Sequence, residues 1–180
     1  MQLNVFVASA CGLLGWGYLL LEQAEKALEH LEKGLRTHLD LGISMWVGSF
    51  YTGLARAHLQ LGNLELAQVH AEQGVKLCRT NSERFFEAEA EMCLGRVLGA
   101  GSSVRFDEAK EHILRGVKTF DELQMKPMTA VGYFHLGELS ASSGWTVAAM
   151  EHLRRAEAMF RQMGMDYWLE RTRGLLARVV

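Results

Sequence analysis

The chain has 180 residues, 49% of them hydrophobic and 22% charged, a balance that suits one packed domain or a short repeat array and argues against disorder. Its 19 Lys and Arg against 21 Asp and Glu leave a formal charge of -2, and no stretch gathers the basic residues into a nucleic-acid footprint. Cys11, Cys78 and Cys93 are far apart and lack a Cys-x-x-Cys spacing, so they suggest neither a disulfide framework nor a zinc site; they read as small apolar fillers in a reducing, cytoplasmic setting.

In chain order, the stretch from Leu3 to Leu21 carries no formal charge and approaches the length of a membrane span. No basic residue precedes it, and Asn4, Ser9, Gly12, Gly15 and Gly17 dilute it, so a buried helix is expected rather than a span or a signal peptide. The spacing of Ala24, Ala27, Leu28, Leu31 and Leu35 predicts a second, amphipathic helix ending at Gly42. Turn signals then recur at Gly62-Asn63, Asn81-Ser82, Ser143-Gly144 and Gly164, and Pro127 sits where the first turn of a helix should begin. The stretch from Gly99 to Val104 is expected to hold a longer turn. Asp166 is placed to cap a final helix that runs through Tyr167, Trp168, Leu169, Thr172, Leu175, Leu176 and Val179 and turns Glu170, Arg171, Arg173 and Arg178 largely outward.

These elements repeat. A leucine followed by a small residue occurs at Leu14-Gly15, Leu54-Ala55, Leu94-Gly95 and Leu136-Gly137, at intervals of 40, 40 and 42 residues. Ala27, Ala67, Ala109 and Ala149 recur in step, as do Gly34, Gly74, Gly116 and Ala156. Small residues at fixed phase mark the crossings at which two helices approach within ~8–10 Å of each other. The expected fold is therefore all-α: a right-handed α-solenoid of four helix pairs, at about 2–42, 43–81, 82–125 and 126–164, closed by a helix over 166–179.

The order Leu14-Gly15, Tyr18, Ala27, Leu31 and Gly34 resembles the tetratricopeptide repeat, although each unit is longer than the usual ~34 residues. Segments such as Glu83-Arg84-Phe85-Phe86-Glu87-Ala88 and Gly164-Met165-Asp166-Tyr167-Trp168-Leu169-Glu170 are similar to the C-terminal repeat region of bacterial class III adenylate/guanylate cyclases fused to a signalling ATPase. That resemblance implies a regulatory or interaction module. It confers no catalytic residue, because the sequence holds neither a phosphate-binding loop nor a strand to launch one.

No catalytic constellation, cofactor motif or metal set is expected. His30, His70, His112 and His152 recur at one phase but would stand on the order of 10 Å apart, too far to share an ion, and read as structural rings. His38, His58 and His135 lack a nucleophile at a recognisable spacing, and the acid pairs Asp107-Glu108 and Asp121-Glu122 read as helix-start or solvated carboxylates. Binding is expected on the concave wall, where Trp16, Arg56, Arg96 and Glu138 share one direction and Met92 and Phe134 lie a turn earlier. Its cationic middle suits an acidic peptide or a carboxylate; pairing of the arginines with Glu89 and Glu138 is the competing arrangement. Two further expectations are a small-ligand pocket between Trp16, Tyr18 and the second pair, and a homodimer through Phe6, Leu13 and Leu20 on the uncovered first helix.

Overall fold

The computed structural model describes the backbone of residues 2–101 and 105–179 and the side chains of residues 5–100 and 105–179. Among the described residues the chain is helical throughout: α1 (Gln2–Leu20), α2 (Ala24–Asp40), α3 (Val47–Gln60), α4 (Leu64–Thr80), α5 (Arg84–Gly101), α6 (Phe106–Glu122), α7 (Lys126–Ser142), α8 (Thr146–Met163) and α9 (Asp166–Val179). The first eight pack as four consecutive pairs, each stacked on the next, and α9 closes the stack against α8 and α7. No helix among the described residues is long and apolar enough to cross a membrane.

Chain reversals are built alike. In each described turn a residue with positive φ lets the following amide donate to a carbonyl five residues back: Gln23 to Tyr18, Ile43 to His38, Asn63 to His58, Glu83 to Cys78, Met125 to Phe120, Trp145 to Ser140 and Met165 to Phe160. Those carbonyls fall every 20 residues on either side of the third pair, so the stack advances one helix at a time with a fixed phase. Gly42, Gly62, Gly144 and Gly164 supply the positive φ at four turns, while Glu22, Ser82 and Gln124 adopt it elsewhere despite their side chains. Of the stretch from Gly99 to Val104 expected to hold a longer turn, residues 99–101 continue α5, and residues 102–104 lie outside the described residues. Asp166 is the first residue of α9 rather than the residue that caps it.

Close approach explains the small residues. A Cβ on Gly95 would lie 2.6 Å from the carbonyl oxygen of Ala109, so α5 and α6 are in backbone contact there. Ala27, Ala67, Ala109, Ala149 and Ala156 are fully buried on the second helices. The core runs through the stack in three patches, centred on Leu31 and Phe50, on Ile113 and Phe120, and on Leu153 and Phe160.

The recurring histidines are rings against rings. His30 stacks on Tyr18 at 5.3 Å, His70 on His58 at 5.3 Å and His152 on Tyr133 at 6.3 Å. His112 instead meets the buried carboxylate of Glu91 at 2.6 Å, where Arg79 and Arg115 also donate, at 2.8 and 3.1 Å. Burial alone would raise the pKa of Glu91; the hydrogen bonds from His112 and Arg115 outweigh it and hold the group below the ordinary range. This carboxylate ties α4, α5 and α6 together across a repeat boundary.

The concave groove as candidate binding site

The first helices of the pairs form one wall. α1, α3, α5 and α7 stand side by side, and α9 returns across their open end, so that the five together line a cavity of about 650 Å³. Trp16, Arg56, Met92 and Arg96 of the expected wall line it, with the Arg56 guanidinium carbon 4.9 Å from the centre of the Trp16 ring. Phe134 does not: it is buried beneath the cavity floor, 5.3 Å from Trp168. Glu138 faces an adjoining cavity of about 360 Å³, which it shares with Arg96 and His135. Tyr18 turns away from the groove and stacks on His30, so the pocket expected beside Trp16 is built without it.

The expected charge pairing holds on one side only. Arg56 Nη1 lies 3.8 Å from Glu89 Oε1. Glu138 accepts from His135 Nδ1 at 2.7 Å, and Arg96 makes no ion pair or hydrogen bond among the described residues. Burial, and then the neighbouring Arg56, pull the Arg96 pKa below its ordinary value. Burial likewise pushes Glu89 upward, partly opposed by Arg56, while His135 is held down to about 4 by burial and by the Arg96 charge. Burial would raise Glu138 too, but the His135 hydrogen bond and the nearby cations bring it below the usual range. Arg96 is thus a groove cation without a directly bonded carboxylate among the described residues.

The rim contains residues whose position depends on the superhelix. Arg171, expected to face outward, reaches into the groove: its guanidinium carbon lies 5.5 Å from the Trp168 ring, and Nη1 is 3.9 Å from Glu22 at the α1–α2 turn. Tyr167, Trp168 and Met165 come with it, facing Trp16, Leu19 and Leu20 on the opposite side. His135 and Gln60 also reach the cavity. The sequence did hold a signal for His135, which occupies the phase of Gly53 and Cys93, one residue before each Leu-small pair. Phe6 and Leu13 are exposed on α1, and Leu20 is exposed at the groove rim.

The three cysteines are free and buried. Burial pushes the Cys78 thiol up to about 12 and the Cys93 thiol up to about 11, so neither is a ready nucleophile.

A tetratricopeptide-repeat family profile matches residues 48–81, which span α3 and α4. No curated protein matches the chain by sequence. Among solved structures, aspartyl phosphate phosphatase F from Bacillus subtilis is similar over 98% of this chain and 46% of its own, with a TM-score of 0.77 and 14% identity. A putative kinesin light chain from Podosopora anserina, with nearly identical tetratricopeptide-like repeats, is similar over 99% of this chain and 87% of its own (TM-score 0.70, 19% identity). A signal transduction ATPase with numerous domains from Pyrococcus horikoshii, which has a tetratricopeptide repeat sensor, is similar over 98% of this chain and 27% of its own (TM-score 0.73, 16% identity). The chain therefore spans less than half of the phosphatase and about a quarter of the ATPase. At these identities the likeness concerns the fold: an all-α solenoid of tetratricopeptide-like helix pairs.

Proposed function

We propose that the chain is a non-catalytic, regulatory protein-interaction module whose concave groove holds a partner segment carrying a carboxylate and apolar side chains. Arg96 carries this reading: a cation on the groove wall with no carboxylate partner among the described residues, beside a second cation, Arg56. An incoming carboxylate would offset the repulsion between the two guanidiniums through charge-assisted hydrogen bonds. Met92, Met128, Val131, Trp16 and Trp168 offer adaptable apolar contacts around it. The similarity of the sequence to the repeat region of bacterial cyclase–ATPase proteins supports a role in a signalling assembly in a bacterial cytoplasm.

Hexapeptide arrays probed with the wild-type chain and with Arg96→Gln test the reading. Selection of peptides that combine Asp or Glu with apolar residues, lost in the variant, is expected; equal selection by both proteins would refute it.

A small-ligand sensor is the second reading, favoured by one observation: α9 folds over the groove and leaves about 650 Å³, within the ~300–1,000 Å³ common for small-molecule sites. A metabolite mixture that raises the melting temperature where peptides do not would favour the sensor over the interaction module.

A further inference from the structure

We infer that the outer face of α1 is a self-association surface, on which the α1 helices of two copies of this chain pack against each other around Ala10 and Gly17. The inference rests on the helix-pair stacking and is independent of what the groove binds.

Repeat phase shows what kind of surface this is. In α3, Val47, Phe50, Leu54 and Ala57 are buried, and all four pack in one cluster with Leu31 and Leu35 of the preceding second helix. The same phase is buried in α5 as Ala90, Leu94 and Val97, and in α7 as Leu136 and Leu139. In α1 the corresponding residues are Val7, Ala10, Leu14 and Gly17, and all four are exposed. The opposite side of the helix is already used, with Ala8, Gly12, Gly15 and Leu19 buried against α2 and α3. α1 therefore presents, uncovered, the face that every later first helix covers with another helix.

Three observations favour a second copy as the cover. First, no charged residue lies between residues 2 and 21, so the face lacks the like-charge repulsion that would oppose packing on itself. Second, the other end of the stack is chemically different: α9 exposes Glu170, Arg173 and Arg178, which disfavours head-to-tail stacking and leaves α1 on α1 as the apolar match. Third, the area suffices. Phe6, Val7, Leu13 and Leu14 on α1, with Leu21 just past its end, are 73, 40, 76, 50 and 65% exposed, which amounts to roughly 600 Å² per protomer, at the low end of the ~1,200–2,000 Å² that a specific interface buries in total.

Geometry fixes the register. Val7, Leu14 and Leu21 recur every seven residues, with Ala10 and Gly17 between them, the spacing of a coiled-coil seam with small residues at alternate layers. A Cβ on Gly17 meets nothing within 4 Å in the protomer, so the space beside it is open to a neighbouring helix. Small residues at these two layers permit backbone approach near the lower end of the ~8–10 Å range.

Light scattering and sedimentation of the full chain from about 1 to 100 μM, spanning ordinary homodimer affinities, give the test. Wild type is expected to dimerise. Gly17→Gln should weaken the dimer by roughly tenfold or more by filling the close layer, as should Leu14→Glu by placing a charge in the seam. Gly17→Gln is the decisive variant, because it adds helix propensity and its Cβ meets nothing within 4 Å in the protomer, so its circular dichroism and melting should be at least those of wild type. A wild-type monomer across the whole range would overturn the inference and assign the face to a helix from another protein or another part of a longer chain. A dimer indifferent to both substitutions would overturn it as well, by placing the contact elsewhere.

Discussion

Replacing Gly95 by alanine separates tertiary packing from helix propensity. In an open helix the change stabilises by about 1 kcal/mol, since alanine restricts the unfolded chain and favours the helix. At Gly95 the added Cβ would stand 2.6 Å from Ala109 O, 2.6 Å from Ile113 Cγ1 and 3.0 Å from Ile113 N. Ordinary contact needs about 3.4 Å or more, so α5 and α6 must part by several tenths of an ångström, and two of the three atoms are backbone and cannot turn aside. Overpacking of this kind costs about 1–3 kcal/mol. Because the helical gain opposes it, the net change should be a loss of up to about 2 kcal/mol, or roughly 4–8 °C in melting temperature for a domain of this size. Gly174→Ala is the matched control: its Cβ meets nothing within 4 Å, and it should gain up to about 1 kcal/mol. Urea unfolding of the two variants, followed by circular dichroism, gives the comparison. Equal stabilisation by both would refute the backbone contact between α5 and α6.

Other consequences can be measured on the same material. Gln124 holds φ at 57° in the turn between the third and fourth pairs, so Gln124→Gly should raise stability by up to about 1 kcal/mol despite glycine's greater freedom when unfolded; thermal melts decide it. His135 has a folded pKa of about 4 against an ordinary 6.5, so the unfolded chain binds more protons between these values, and stability is lost as pH falls through that window. His58, His70 and His152 are shifted the same way, so His135→Gln should reduce the acid-induced fall in melting temperature without abolishing it. With thiol pKa values near 12 and 11, Cys78 and Cys93 should react with a disulfide reagent at pH 8 far more slowly in the native protein than in denaturant; equal rates would contradict their burial.

Much of the fold is legible because its constraints are local or periodic. The Leu-small pairs and the alanines at constant phase report helix crossings, and Gly42, Gly62, Gly144 and Gly164 report left-handed turns. Glu22 and Gln124 occupy equivalent turns with no sequence signal, because the stacking of the pairs imposes their conformation against side-chain preference. The groove was legible in part. Trp16, Arg56 and Arg96 follow from repeat phase, which also contained His135. Arg171, Trp168 and the burial of Phe134 do not follow from it, because α9 falls outside the repeat and its inner face is set by the curvature that brings it opposite α1. Pairing is also beyond the reach of spacing: Glu138 takes His135 as its partner and leaves Arg96 facing the cavity.

Trp16 and Trp168 both line the groove, while Trp46 and Trp145 lie elsewhere, 42% and 60% exposed, so a change in tryptophan emission on binding reports on groove occupancy. Titrating the chain with an array-selected acidic–apolar hexapeptide, at low and at high salt, therefore tests the proposed binding site most directly. Saturable emission change that weakens with salt and is lost in Arg96→Gln is the expected result. Saturable binding that is unaltered by Arg96→Gln, or that leaves the emission unchanged, would contradict the assignment of the concave groove as the site.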